Sequence, residues 1–201
     1  MSAGLLVLQV NMLHVLFIFC YAWKMKTHRP YSIEEYDPTW KDKYSFVAKK
    51  LEPIFGDNFV EINHIGSTSI LGMVAKPQID ILVVVKDLEK VKESYEALKV
   101  AGFTPRGRGY VNYDDEYFTE DTSDGRRLTS VHTLQTDNPR IKEYKNFRDY
   151  LTVNKEDREL YIATKKALYT QHRDNFAEYD PGKEKIVKQI ITRANQWVAN
   201  R

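Results

Sequence analysis

The sequence predicts an α+β fold, a mixed β-sheet core with a C-terminal helical layer. Three observations predict it. Gln78 to Val85 is nearly continuous apolar and rich in β-branched residues, as in a strand buried on both faces. Phe103 to Leu134 is punctuated at Gly107, Gly109 and Asp124-Gly125, the signature of several short strands joined by turns. From Ile141 onward, apolar residues recur at helical spacing.

In chain order, Asp37-Pro38 opens a helix, with Asp as cap and Pro at the first helical position. Trp40, Tyr44, Val47, Leu51 and Ile54 supply its apolar stripe, and Gly56-Asp57-Asn58 ends it. Phe59 to Ile65 reads as a strand. Gly66 to Pro77 reads as a loop rich in small residues, with room for a short helix, before the buried strand at Gln78 to Val85. Asp87 caps the next helix, whose inner face is Leu88, Val91, Tyr95 and Leu98, and Gly102 stops it. Three helices then close the chain. Their stripes are Ile141, Tyr144, Phe147 and Leu151; Leu160, Thr164, Ala167 and Leu168; and Ile186, Ile190, Ala194 and Trp197. Pro181-Gly182 separates the last two.

Composition narrows the function classes. The chain has 201 residues, 42% hydrophobic and 29% charged, which excludes bulk disorder and low-complexity architectures. A net charge of +2 gives no strong signal for nucleic-acid binding through bulk charge. The single Cys20 allows no internal disulfide and no cysteine-based zinc site. Residues 1–23 contain no Asp, Glu, Lys or Arg, and eighteen of them are apolar. The chain therefore divides into an apolar extension, 1–29, and a charged domain, 30–201. Residues 5–23 have the length of a membrane helix, and Lys24, Lys26 and Arg29 behind them would hold the domain in the cytoplasm. Gln9, Asn11 and His14 interrupt the stretch, and Met25 offers an alternative start. A membrane anchor and a dispensable extension are the two readings of this segment.

Chemistry concentrates between His64 and Asp80. A strand runs into Gly66-Ser67-Thr68, where glycine permits close backbone approach and the hydroxyls and N–H groups favour an anion. Asp80, near the start of the next strand, can hold a divalent metal by oxygen. Lys76 adds positive charge between them. Phosphate cradle and metal carboxylate together are the minimum kit for phosphoryl transfer. Each piece alone also suits a plain structural role, but an Asp in so apolar a run is costly if unpaired.

The segment resembles the central signature of the GrpB-like family of the nucleotidyltransferase superfamily. The resemblance extends to Ile33-Glu-Glu-Tyr-Asp-Pro-Thr-Trp40, to Phe147-Arg-Asp-Tyr-Leu151, to Tyr161 with Lys165 and to Tyr179 with Lys183. It covers about residues 31–199 and implies a nucleotidyltransferase-like sheet core. It also implies a Gly-Ser loop that holds a nucleoside triphosphate, and a pair of acids at i and i+2 on the next strand that holds Mg²⁺. Such a pair shares one strand face. Here the partner of Asp80 is Leu82, so half the pair is missing. Glu61, Asp114, Asp115 and Glu116 are the candidate replacements.

His64 and His132 are accessory candidates for orienting a phosphate or for acid–base work. Family members often carry two histidines where this chain has Ser130 and His132. Arg148, Lys165 and Lys183 come from three helices, and would neutralise phosphate charge if the helical layer folds over the loop. The implied function is metal-dependent nucleotidyl transfer from a nucleoside triphosphate, with Asp80 as catalytic metal ligand. The alternative is a module that binds a nucleotide or phosphorylated small molecule without turnover. A scaffold with a vestigial pocket is the third reading.

Overall fold

The computed structural model describes residues 29–110 and 114–201. The proposed membrane segment at residues 5–23 lies outside them. Among the described residues, no helix is long and apolar enough to cross a membrane.

Helix α1 spans Thr39–Phe55 and strand β1 Phe59–Ile65. A 3₁₀ turn, Ser67–Ser69, follows directly. Strand β2 is Ile79–Val85. The helix expected after Asp87 forms in two pieces, a 3₁₀ stretch Glu89–Ser94 and helix α2, Tyr95–Val100. Strands β3, Thr104–Arg108, β4, Glu116–Asp121, and β5, Arg127–Gln135, complete a five-stranded sheet. Its order is β1-β2-β5-β4-β3. Only the β2/β5 pairing is parallel, so the sheet is mixed. Parallel neighbours need a crossover, and here the 3₁₀ stretch, α2 and the β3–β4 hairpin provide it.

Side chains alternate across β2. Ile79, Ile81, Val83 and Val85 pack with Trp40, Val47, Leu51 and Phe55 of α1 and with Val91 and Leu98. Leu82 and Val84, on the other face, pack with Ile65, Leu134 and Ile141. A strand buried on both sides reads as a continuous apolar run, which is why β2 was so legible. Gly107 does not turn the chain. It lies inside β3 at φ +79, where the register with β4 shifts, so the glycine serves a bulge.

Helices α3, Arg140–Val153, α4, Lys155–Gln171, α5, Phe176–Gly182, and α6, Glu184–Ala199, form the C-terminal layer. Their core joins Tyr150, Leu151, Tyr161, Ile186, Ile190 and Ala194 to Ile70 and Met73 of the loop after β1. Two expectations are corrected here. Pro181-Gly182 do not form a bare linker; they are the last two residues of an additional short helix. The buried stripe of α4 is Asp157, Tyr161 and Lys165, while Leu160 is exposed. The buried positions carry charge, so an apolar template selects the wrong face.

The segment before α1 is strapped across the molecule. Glu34 and Ala75 exchange backbone hydrogen bonds of 2.8 and 3.0 Å. The Tyr31 hydroxyl donates to the His172 carbonyl, and its ring meets those of Tyr169, Phe176 and Tyr179. Residues 29–36 thereby border the loop between β1 and β2.

Candidate functional site

The loop after β1 is built to touch Asp80. Gly66 stands at φ +69 and ψ −171, a region that essentially only glycine occupies. A Cβ on it would lie 2.5 Å from the Asp80 Oδ2 and 3.0 Å from the Asp80 Cβ. Ile65 is the register partner of Asp80 across the β1/β2 ladder, which brings the strand exit and the carboxylate side by side. The loop and the acid therefore meet.

Asp80 faces away from the α1 core and is held from below. The Gln78 amide donates to its Oδ1 at 2.6 Å and to the Ser130 hydroxyl at 2.9 Å. The same amide accepts from the Arg29 guanidinium. That two-ended network fixes which end of the amide is nitrogen. The Tyr117 hydroxyl donates to Ser130 at 2.8 Å, and Arg127 donates to Tyr117 at 3.1 Å.

Lys165 reaches the loop from α4. It is buried, and its Nζ donates to the Ser67 Oγ at 2.6 Å and to the Val74 carbonyl at 2.6 Å. It lies 4.8 Å from the Tyr161 ring centroid and, among the described residues, makes no ion pair. Burial first, then the nearby Lys183 and Lys76, hold its ammonium well below the ordinary lysine range, against the opposing pull of Asp80 and Asp180. Lys76 and Lys183 share one carboxylate oxygen of Asp180, at 3.2 and 2.8 Å. Burial brings Lys76 down to about 8, although Asp180 opposes it. Burial lowers Lys183 as well, but the Asp180 carboxylate together with Tyr161 and Tyr179 pushes it up overall. Burial alone would raise the Asp180 carboxyl, yet the two ammonium groups hold it far below the usual carboxylate range. Lys76 also lies 4.4 Å from the Phe176 ring centroid, and Lys183 5.0 Å from that of Tyr179.

The remaining sequence candidates are placed as follows. The Thr68 hydroxyl is buried; it donates to the Gln78 carbonyl at 3.3 Å and lies 3.0 Å from the His64 Nε2. It is used inside the loop. His64 stacks on Tyr44 with centroids 4.7 Å apart, and burial brings its imidazole down to about 4, so it is neutral near pH 7. Arg148 donates to the His64 carbonyl at 3.1 Å and pairs with Asp149 at 2.7 Å, so it braces the end of β1. His132 binds the fully buried Asp115 through Nδ1 at 2.7 Å, with the rings of Tyr117 and Tyr144 beside it. It is the register partner of Leu82, one face position beyond Ser130 and Asp80.

The acids considered as replacements for the missing carboxylate are engaged elsewhere. Glu61 pairs with Lys145 at 2.5 Å, and Asp114 with Arg108 at 3.2 Å. Asp115 holds His132, and Glu116 accepts from the Tyr95 hydroxyl at 2.5 Å. Leu82 itself is a fully buried core residue. Among the described residues no group of three His, Cys, Asp or Glu side chains is placed to hold a metal. The donor set supplies one carboxylate, and it does not fit a two-metal centre.

Sequence reasoning missed Gln78, Asp180, Arg29 and the Ser130–Tyr117–Arg127 chain. Gln78 carried a signal, since an amide at the mouth of an apolar strand needs partners. Asp180 carried none, because its role depends on two lysines distant from one another in sequence.

The model of the GrpB protein family matches residues 30–193. The UPF0157 protein YqkA of Bacillus subtilis is 34% identical over 83% of this chain, and the match spans 48% of that relative's length. The UPF0157 protein BH1888 of Halalkalibacterium halodurans is 32% identical, with 80% of each chain covered. Among solved structures, the conserved protein GrpB from Enterococcus faecalis superposes with a TM-score of 0.77 at 30% identity, covering 83% of this chain and 99% of that one. With the family model matching most of its length, and a GrpB structure sharing its fold, this chain belongs to the GrpB family.

Proposed function

We propose that the cluster formed by Gly66–Thr68, Asp80 and the lysines of the helical layer binds the phosphate of a nucleotide or other phosphorylated small molecule. One observation carries the reading. Lys165 is a buried amine beside the small-residue loop, with a hydroxyl and a carbonyl as its hydrogen-bond partners among the described residues. Burial disfavours the charged form of this amine, and a phosphate bound beside it supplies a directly paired counter-charge. Lys76 and Lys183 extend the positive field, and their single shared carboxylate leaves it uncancelled. In this reading Ser67 and the loop N–H groups contact the phosphate, while Thr68, His64 and Arg148 hold the loop in shape.

Nucleotidyl transfer is the second reading, and one observation favours it: the Asp80 carboxylate abuts the loop. A bound Mg²⁺ would supply charge neutralisation at the phosphates. Among the described residues, Asp80 of β2 is the carboxylate that abuts the loop.

Equilibrium binding of ATP, GTP, CTP and UTP, with and without Mg²⁺, tests the proposal. At least one nucleotide is expected to bind, and Lys165→Met is expected to weaken it by about tenfold or more while the fold is kept, a loss typical of a charge-assisted contact. Absence of binding by all four and by orthophosphate sinks the reading. Pyrophosphate release that depends on Mg²⁺ and disappears in Asp80→Asn selects transfer over binding alone.

A further inference from the structure

The Asp180 carboxylate of α5 sits between two ammonium groups from different parts of the fold. Lys76 reaches it from the loop before β2, and Lys183 from the junction of α5 and α6, at 3.2 and 2.8 Å. Both donate to the same oxygen, Oδ1. Among the described residues no other carboxylate pairs with either lysine. An oxygen of a phosphate or sulfate group suits the same pair of donors and brings a second negative charge.

The carboxylate is held in place by the lysines alone. Among the described residues its Oδ2 accepts no hydrogen bond. Its side chain is 48% exposed, against 17% for Lys76 and 14% for Lys183, so it lies on the solvent side of both amines. Rotation of this one side chain into water uncovers the two ammonium groups without any opening of the core. The lysines are the more firmly seated partners, against the rings of Phe176 and Tyr179. Lys165 is near enough for both of them to lower its ammonium, so a single surface carboxylate caps a cluster of three amines.

We propose that Asp180 is an intramolecular competitor of the ligand: its carboxylate occupies the place between Lys76 and Lys183 that an incoming phosphate takes, and binding displaces it into solvent. Such competition weakens apparent affinity in proportion to the fraction of molecules whose lysines are uncovered. It also sets a charge preference. A monoanion merely exchanges one negative charge for another, whereas a dianion adds a charge to a cluster of three amines. The favoured ligand is thereby a terminal phosphate, as in a phosphomonoester or at the end of a nucleotide, rather than a phosphodiester. That identity rests on the phosphate reading; the competition itself holds for any anion.

Calorimetry on the full chain tests this with orthophosphate, with sulfate as a fixed dianion, and with methyl sulfate as a monoanion of the same geometry. The measurements are made at about pH 6.5, below the titration of Lys76. Asp180→Asn is expected to bind orthophosphate and sulfate at least about tenfold more tightly than the unaltered protein. Asp180→Glu keeps the carboxylate and is expected to stay within about threefold of the unaltered protein. Methyl sulfate is expected to bind only once the carboxylate is gone. Because Asp180→Asn leaves two lysines without their counter-charge, its urea midpoint is followed as well. Sulfate is expected to raise that midpoint more than it raises the unaltered protein's, by replacing the missing group. A variant that folds only with sulfate supports the proposal in the same way. If the unaltered protein binds orthophosphate and Asp180→Asn binds it no more tightly, the competition is overturned and the phosphate reading stands. If Asp180→Asn alone binds, the competition stands and the phosphate reading fails. Binding by neither overturns both.

Discussion

At Gly66 the backbone and the site chemistry depend on one missing methylene. The residue combines a positive φ with a carboxylate against its α-carbon, so alanine there meets both backbone strain and the Asp80 oxygen. Gly72, at φ +76 with open space around it, isolates the first effect from the second. Gly66→Ala is expected to cost about 2 kcal/mol or more in urea unfolding, and to exceed Gly72→Ala by about 1 kcal/mol or more. Equal losses would remove the close approach of loop and acid. Lys165 teaches a different lesson at the same scale. Its sequence position suggested a charge facing the loop, but burial without an ion pair was not legible, because burial is set by the helices around α4.

At the scale of the element, what could be read depended on whether burial and hydrophobicity coincide. Strands β1 and β2 emerged with their observed bounds to within a residue, because β2 packs apolar side chains on both faces. Helix α4 broke the pattern because Asp157 and Lys165 occupy its inner face, with Asp157 accepting from the Tyr150 hydroxyl at 2.5 Å. Helix α5 was overlooked because it is seven residues long and ends in Pro-Gly, which reads as linker. Strand β2 also bears on the acidic pair. Leu82 shares the face of Asp80, yet it contacts the core formed by Ile65, Val84, Leu134 and Ile141. Leu82→Asp should not restore an acidic pair. It is expected to destabilise the protein by about 3 kcal/mol or more without raising Mg²⁺ affinity, because the new carboxylate is buried among aliphatics. A stable variant that gains Mg²⁺ binding in calorimetry would contradict this placement of Leu82.

Across the whole molecule the charges nearly cancel, yet their distribution does not. Arg29, Lys76, Arg127, Lys165 and Lys183 gather on one side of the sheet's end, opposed by Asp80, Asp121 and Asp180. The helical layer makes this possible: α4 and the α5–α6 junction carry lysines to a loop that belongs to the sheet. A net charge of +2 conceals the asymmetry, so composition argued only against bulk nucleic-acid binding and left the local clustering of cations unseen. The Gly66-Ser67-Thr68 loop with Lys76, and the resemblance of the Tyr161–Lys165 and Tyr179–Lys183 pairs, were the sequence features that pointed to this side.

The arrangement also fixes the sign of a pH effect. Lys76 titrates at about 8 and Lys165 well below the ordinary lysine range, so both lose protons as pH rises through a region where free lysine stays charged. An anion favours the protonated forms. Binding must therefore take up protons, and affinity must fall as pH rises above about 8. Titration calorimetry of the tightest-binding nucleotide between about pH 7 and pH 9.5, in buffers of different ionisation enthalpy, measures both quantities directly. Net proton uptake, with affinity declining across that range, is the predicted result. Binding that releases no buffer heat and keeps constant affinity would contradict an anion site built on buried lysines.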